Sequence, residues 1–390
     1  MKNLSSSLFL SILLVAVTCV AKEPPGPRVV DLTAADGTKL KASYFSAGKP
    51  GPVVLLLHQC DHERKIWDGL AQQLAAAGIN VLTFDLRGFG DSGGEPHHKD
   101  GPLEPPEEIQ KWPGDIDVAF QYLKSQPDVK TDPIGVGGAS CGVDNAIKTA
   151  MRHPEVKSLV LLSGPHDLQD RKFMRQGKLP AFFAVADDDQ YPGMVELTEW
   201  LYIISSNSGK KFAHYRTGHH GAEIFAVHPD LPVAIVDWYV TTLIKTPGHA
   251  PATTDVAEIP AYIRAIELLD QPGGPARLAR MLSESRQKDP KAPFTPEQMM
   301  EGVAYEHLQA GDIKQALEIL KLDATAYPNS PNVYDCLGEA YLADGQKDLA
   351  RKNTQKALEL LPSDTVDPQA FRDAIKASAE ERLKQLGPAQ

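Results

Sequence analysis

The chain has little cysteine, little aromatic side chain and no excess of positive charge. Its 390 residues include 4 Cys, and Phe, Trp and Tyr together make up 7%. A small scaffold held by disulfides is excluded, because such domains are short and dense in cysteine. Lys and Arg number 40 against 51 Asp and Glu, which gives a net charge of −11 (40 − 51). A nucleic-acid partner is not expected, because nucleic-acid-binding surfaces need a basic patch.

Long apolar runs are also missing beyond the N-terminal segment. Lys2 provides a positive start, residues 8–17 are apolar, and small residues follow up to Ala21. The apolar run is too short to cross a bilayer comfortably, so it predicts a secretory signal peptide over residues 1–21. The mature chain is then expected without a membrane span, in the periplasm or secreted to the medium. A lipid anchor at Cys19 is the alternative, although Thr18 before it fits a lipobox poorly.

Removal of the signal peptide would leave three cysteines, an odd number. They are Cys60, Cys141 and Cys336. At least one thiol must then lack a partner within the chain. Stability is therefore expected to come from the hydrophobic core.

Strand and helix patterns alternate through residues 22–246. Residues 53–57 are continuously apolar, as in a strand buried on both faces, and residues 79–84 repeat this after a helical stretch that ends at Gly78. Alternation of this length predicts an α/β domain with a mostly parallel sheet and helices on both faces. Residues 29–45, which turn at Asp36 and Gly37, predict an antiparallel hairpin that joins the same sheet.

The remainder of the chain loses its strand signals and becomes helical. Residues 247–294 predict a linker with helices, and residues 295–390 predict an all-α domain with a final capping helix. Three residue types recur at a spacing of 34 (345 − 311): Gly311 and Gly345, Ala316 and Ala350, Pro328 and Pro362. This period resembles that of tetratricopeptide repeats, which pair helices and commonly bind proteins.

Two repeat units are fewer than the three that usually form a stable array. The helical module is therefore expected to pack against residues 256–292, the preceding domain or a second subunit. A protein partner or self-association through the repeats follows as an expectation.

A short glycine-flanked motif carries the chemistry. Residues 138–142 read GASCG, between a predicted strand and a predicted helix. A nucleophile elbow occurs in this context, and its tight turn requires small residues two positions before and after the nucleophile. Those positions are glycine around Ser140, whereas around Cys141 they are Ala139 and Val143. The spacing selects Ser140 as nucleophile and makes Cys141 the neighbour whose N–H points into an oxyanion hole.

With this elbow, residues 28–245 resemble the α/β-hydrolase superfamily, in its serine esterase or dienelactone-hydrolase-like branch. Residues 57–59 (LHQ) lie where that family has its oxyanion loop, and residues 85–92 (DLRGFGDS) resemble its loop after the fourth strand. The resemblance implies hydrolysis of the carboxylic ester bond of a small-molecule acyl substrate through an acyl-enzyme, without a cofactor. It also implies a triad in the chain order Ser, acid, His.

The resemblance selects the other triad members. Among the three consecutive aspartates 187–189 it favours Asp189 as the acid, with Asp188 as the alternative. The family commonly has glycine directly after the catalytic histidine, which selects His220 over His219. The catalytic set is then Ser140, Asp189 and His220.

The second oxyanion amide is expected from Gln59 or Cys60. Gln59 stands where the family commonly has glycine, so the choice between the two amides stays open. The substitution also puts a side-chain amide near the acyl site, where we expect it to contact substrate.

Several alternatives remain open at this level. A peptidase or a thioesterase of the same fold, or a non-catalytic scaffold that binds partners through the repeats, fits the same pattern. Residues 58–63 (HQCDHE) do not predict a metal site, because nothing in the run makes three or four ligands converge. His97 and His98 are expected in a loop over the site, and residues 165–178 leave room for one short helix and hence an open cleft.

Overall fold

The computed structural model describes residues 26–96, 106–253, 259–269, 271–289 and 294–387. The predicted signal peptide 1–21, Cys19, His97 and His98 lie outside these residues. Within the described ranges, none of the helices is both long and apolar enough to cross a membrane.

Eight strands form one mixed sheet. They are β1 (Arg28–Thr33), β2 (Lys39–Phe45), β3 (Gly51–Leu57), β4 (Asn80–Phe84), β5 (Val129–Ala139), β6 (Val156–Leu162), β7 (Ala181–Ala186) and β8 (Lys210–Tyr215). Their order is β1-β2-β4-β3-β5-β6-β7-β8. β2 pairs antiparallel with β1 and β4, and all other pairs are parallel. The predicted hairpin therefore joins the sheet as expected and makes it mixed.

Helices cover both faces of the sheet. They are α1 (Asp68–Ala76), α2 (Pro106–Ile109), α3 (Trp112–Lys124), α4 (Cys141–Arg152), α5 (Leu168–Gln176), α6 (Met194–Ile204), α7 (Ile224–Val227) and α8 (Asp230–Tyr239), which continues as a π-helix over Val240–Lys245. Because side chains alternate along a strand, Leu55 of β3 packs with Phe120 of α3, whereas Leu56 packs with Leu74 of α1 and Ile235 of α8. The continuous apolar run of β3 thus fills two core layers.

In its described residues the C-terminal region contains helices joined by turns and loops. Its helices are α9 (Ala261–Ile266), α10 (Gly274–Lys288), α11 (Glu297–Gln309), α12 (Ile313–Ala326), α13 (Pro331–Ala343), α14 (Lys347–Leu360) and α15 (Gln369–Leu386). Gly311 and Gly345 occupy the turns of the pairs α11–α12 and α13–α14 with φ of 79° and 75°, a region that favours glycine. At Gly338 a methyl group would overlap the Thr354 hydroxyl, so α13 and α14 approach closely only because this residue has no side chain.

The helical region packs against α5 and α6 of the sheet domain. Trp200 of α6 shares a hydrophobic cluster with Met299 and Val303 of α11. Arg171 of α5 is 1% exposed and donates both terminal nitrogens to Glu306 of α11, at 2.7 and 2.6 Å. The guanidinium also stacks over the Trp200 ring at 4.2 Å, so its charge is paired while its flat face is covered.

Candidate active site

Ser140 occupies a strained turn between β5 and α4. Its backbone has φ 52° and ψ −126°, outside the regions that residues with a side chain normally adopt. A methyl group at Gly138 would overlap the Gly142 carbonyl, and one at Gly142 would overlap the Leu57 carbonyl. The space around the turn therefore explains why the positions two before and two after Ser140 are glycines.

His220 and Asp189 form a buried pair. Asp189 lies in the segment after β7, and His220 lies in the segment after β8. The two carboxylate oxygens of Asp189 lie 3.0 and 2.8 Å from Nδ1 of His220, and the side chains are only 2% and 1% exposed. Asp188, the alternative acid, instead accepts a hydrogen bond from the backbone N–H of His219 at 2.9 Å. The structure thus brings together the two residues that the resemblance favours and leaves Asp188 bound to the neighbouring histidine.

The turn that carries His220 packs against the residue before Ser140. Gly221 has φ 57°, and a Cβ there would lie 2.6 Å from Oε1 of Gln59 and 3.3 Å from Cβ of Ala139. The glycine after the histidine is therefore required both by backbone conformation and by space. Nε2 of His220 is buried and has no hydrogen-bond partner among the described residues, so the serine–histidine bond is not formed in this structure.

An aromatic ring covers the imidazole on another side. Tyr191, which sequence reasoning did not single out, lies edge-on to His220 with the ring centroids 4.4 Å apart. Burial, with the nearby Asp61 and Asp189 carboxylates, raises the pKa of Tyr191. A neutral ring therefore shields the Asp189–His220 pair from solvent.

A disulfide joins the loop after β3 to the first residue of α4, which directly follows Ser140. Cys60 lies three residues beyond the end of β3, Cys141 is the first residue of α4, and their Cα atoms are 5.9 Å apart across 81 residues of sequence. Cys336 is buried and free. The expectation of at least one unpaired thiol is met, but the sequence analysis did not foresee that the other two cysteines pair.

The Gln59 side chain supports the turn that follows His220. Its Oε1 accepts a hydrogen bond from the backbone N–H of Ala222 at 2.9 Å, and the residue is fully buried. Through Oε1 the side chain therefore supports the turn after His220, and the expected contact with substrate stays a prediction. Cys60, by contrast, is half-buried at the mouth of the site.

Among the polar residues 58–63, His58 has partners at both ring nitrogens. His58 is fully buried, with Nδ1 2.8 Å from the Gln59 carbonyl and Nε2 accepting from the N–H of Leu86 at 3.0 Å. Burial lowers the pKa of His58, so the ring is neutral and braces the ends of β3 and β4. Asp61, His62 and Glu223 offer ligand atoms within 4.8 Å of one another, and His62 Nδ1 lies 3.1 Å from Asp61 Oδ1.

The loop after β4 is braced by buried ion pairs. Asp85 is fully buried and binds Arg64 through both the side chain and the backbone N–H, the latter at 2.7 Å. Arg87 binds Asp115 with its guanidinium at 2.6 and 2.7 Å. These residues hold loops in place.

A cavity of about 420 Å³ lies beside the elbow, between the sheet domain and the helical region. Cys141, Asn145 and Trp112 line it from the sheet domain, and Gly302 and Val303 line it from α11. As the spacing predicted, a single short helix, α5, lies between β6 and β7. The helical region, rather than an inserted lid, therefore forms the outer wall beside the site.

Comparison with known proteins identifies a family that matches part of the chain. Residues 48–190 match the family described as Hydrolase_4, serine aminopeptidase S33, a segment that contains Ser140 and Asp189 but ends before His220. The family match supports a hydrolase with an α/β-hydrolase sheet.

Individual relatives cover only part of the chain. A Mycobacterium tuberculosis protein named only as an uncharacterized protein is 32% identical over 141 residues, which are 36% of this chain and 46% of that protein. A thiohydrolase of Aspergillus aculeatus is 28% identical over 34% of this chain and 39% of its own length. A solved esterase of Pyrococcus furiosus is 21% identical with a TM-score of 0.46, over 55% of this chain and 92% of that chain. The chain spans between 39% and 64% of the length of the curated relatives that it matches.

Proposed function

We propose that this chain is a serine hydrolase that cleaves carboxylic ester bonds of small-molecule substrates. Ser140 is the nucleophile, His220 the base and Asp189 the acid that orients it. The observation that carries the proposal is the strained backbone of Ser140 together with a buried histidine whose Nδ1 is held by Asp189, whose Nε2 has no partner among the described residues, and whose following glycine packs against Ala139. No cofactor enters the reaction.

The reaction follows from the charges of these groups. Asp189 accepts the Nδ1–H hydrogen bond, so Nε2 carries the lone pair that takes the Ser140 proton during attack on the acyl carbonyl. The imidazolium that forms is stabilised by the carboxylate, and its proton then passes to the departing alkoxide. Water repeats the cycle on the acyl-enzyme and regenerates Ser140.

Backbone amides stabilise the negative charge of the tetrahedral intermediate. Cys141 begins α4, so its N–H has no acceptor within the helix and is available to the oxyanion. We assign the second donor to the N–H of Cys60, because Gln59 is fully buried and Cys60 is not.

Thioester hydrolysis is the second candidate, because two relatives are named thiohydrolases, and peptide hydrolysis follows from the family description. The same three side chains serve all of these reactions. A matched series with one acyl group as p-nitrophenyl ester, thioester and p-nitroanilide separates them by kcat/KM. A non-catalytic scaffold that binds partners through the helical region would hydrolyse none of them.

The proposed cellular setting is outside the cytoplasm. A disulfide in a chain with so few cysteines fits an oxidising compartment, which agrees with the predicted signal peptide. The paired helices with a 34-residue period are proposed to act as a repeat module for a protein partner or for self-association.

Labelling with a fluorescent fluorophosphonate tests the nucleophile. We expect wild-type protein to be labelled and Ser140→Ala to show no labelling, because only an activated serine reacts at an appreciable rate. Ser163→Ala is the matched control: Ser163 also has positive φ at a strand end, but it is fully buried. Equal labelling of wild type and Ser140→Ala would remove Ser140 from the mechanism.

The cavity beside Cys141 is proposed to hold an apolar group of the ester. Its walls include Trp112 and Val303, and a Cβ at Gly302 would meet no atom within 4 Å. Gly302→Phe therefore places a ring in open space. We expect kcat/KM for p-nitrophenyl decanoate to fall about tenfold or more and that for the acetate to change less than twofold, since pocket contacts of this kind change rates by about 10–200-fold.

A glycine far from the cavity provides the control. Gly69 in α1 is exposed and also has no atom within 4 Å of a Cβ, so Gly69→Phe adds the same ring to another helix. An unchanged decanoate-to-acetate ratio in Gly302→Phe would show that the cavity does not bind substrate.

A further inference from the structure

The disulfide occupies a position that general stabilisation of the fold does not require. β3 and β5 are neighbouring strands whose ends are level, with Leu57 opposite Gly138. Both strands are already fixed by parallel pairing, and the β3 residues are all buried. The bond therefore connects two segments that lie outside this strand pairing, the loop after β3 and the first residue of α4.

These two segments are the ones that present amides to the Ser140 site. Cys141 follows the nucleophile directly, and Cys60 lies on the loop that begins at His58. The bond holds the Cα atoms of the two cysteines 5.9 Å apart. Each Cα is bonded to the backbone nitrogen whose N–H is proposed as an oxyanion donor. Fixing the two Cα atoms therefore limits how far the two donors can separate.

Other contacts of the loop hold its base more firmly than its tip. The Gln59 carbonyl accepts from the N–H of His62 at 3.1 Å and lies 2.8 Å from Nδ1 of His58, while the Gln59 side chain is bound to Ala222. Cys60 lies at the half-buried tip, and its side chain is bonded to Cys141.

We propose that the Cys60–Cys141 disulfide is a positioning element of the oxyanion hole and sets kcat by fixing the spacing of its two amides. The inference rests on the proposed serine hydrolase function. Reduction by a dithiol converts the bond to two thiols and the dithiol to a cyclic disulfide. The loop tip then moves away from α4, and the amides bind the tetrahedral intermediate less well than before, while the ground-state ester is bound as before.

The test compares oxidised and dithiothreitol-reduced full-length protein with p-nitrophenyl acetate at 25 °C, with near-UV circular dichroism to verify the fold. Deletion of one oxyanion donor costs about 10²–10³ in kcat, and loosening both should cost less. We expect kcat to fall about 10- to 100-fold on reduction, KM to change less than threefold, and reoxidation to restore the rate. Phenylboronic acid, whose serine adduct is tetrahedral and anionic, should bind more weakly by the same factor as kcat falls.

Two variants serve as controls. Cys60→Ala/Cys141→Ala should have the reduced rate in both states, and Cys336→Ser should respond to dithiothreitol like wild type, because Cys336 is free and buried in the helical region. If the double variant does not fold, the reduced and reoxidised wild-type protein still provide the comparison.

Each outcome bears on one proposal or the other. Equal kcat in folded oxidised and reduced protein, or loss of activity only together with the near-UV signal, would overturn the positioning role and leave Ser140 as nucleophile. Oxidised protein without Ser140-dependent hydrolysis would instead overturn the proposed function on which this inference rests.

Discussion

Asp189→Asn should lower kcat for ester hydrolysis about 10³- to 10⁴-fold with little change in KM. Both carboxylate oxygens of Asp189 lie within hydrogen-bond distance of His220 Nδ1, and the pair is almost completely buried. An asparagine amide can donate to Nδ1 and so favours the wrong imidazole tautomer, which in serine proteases costs about 10⁴ in kcat. Steady-state kinetics with p-nitrophenyl acetate measures the effect.

Asp188→Asn is the matched control in the same turn. Asp188 is 34% exposed and binds the backbone N–H of His219, not the ring of His220. We expect its kcat to stay within threefold of wild type. A loss in Asp188→Asn comparable with that in Asp189→Asn would show that the whole turn, rather than one carboxylate, supports the reaction.

Glu306→Leu should destabilise the contact between the two domains by about 3–5 kcal/mol, because it removes the carboxylate that accepts two hydrogen bonds from a buried guanidinium. Arg171 is 1% exposed and bound to both oxygens of Glu306. Because Trp200 lies under the guanidinium, urea unfolding followed by tryptophan fluorescence reports on this contact.

A double variant distinguishes buried charge from packing as the cause. Arg171→Met/Glu306→Leu removes both charges and should recover most of the lost free energy of unfolding, since a buried ion pair is often replaceable by apolar side chains. Glu381→Leu removes one member of an exposed pair with Lys384 and should change the free energy of unfolding by less than about 1 kcal/mol. A Glu306→Leu variant as stable as Glu381→Leu would show that the domain contact does not depend on this ion pair.

The elbow was predictable because its constraint is local. A nucleophile turn needs small residues at two fixed positions, and the structure shows the Gly142 and Leu57 carbonyls that occupy this space. The glycine after His220 is a similar case, because its positive φ favours glycine and so restricts the residue type at that position. The sheet was predictable for another reason, namely that strands buried on both faces are apolar throughout.

The disulfide could not be derived from spacing alone. Its cysteines are 81 residues apart and meet because β3 and β5 are adjacent and end at the same level. The strand order of the resembled family would have placed Cys60 near Cys141, so a signal existed, but it required the tertiary arrangement. The hydrogen bond of the Gln59 side chain could not be derived for the same reason, since it depends on the turn at Ala222, far along the chain.

The docking of the helical region had no local signal. Arg171 and Glu306 lie 135 residues apart, and each resembles a solvated charge on an amphipathic helix. Only the packing of α11 on α5 and α6 makes them partners. Sequence reasoning could state that the module needed support, but it could not name the residues that supply it.

A site whose geometry depends on a disulfide has a latency that follows from its chemistry. If the proposed positioning role holds, then in protein surrounded by thiols Cys60 and Cys141 would be reduced, and only noncovalent contacts would hold the loop after β3 against α4. Such protein would be folded but slow toward esters and acyl thioesters. Oxidation would complete the site, so that under the proposed export the activity would follow the change of compartment.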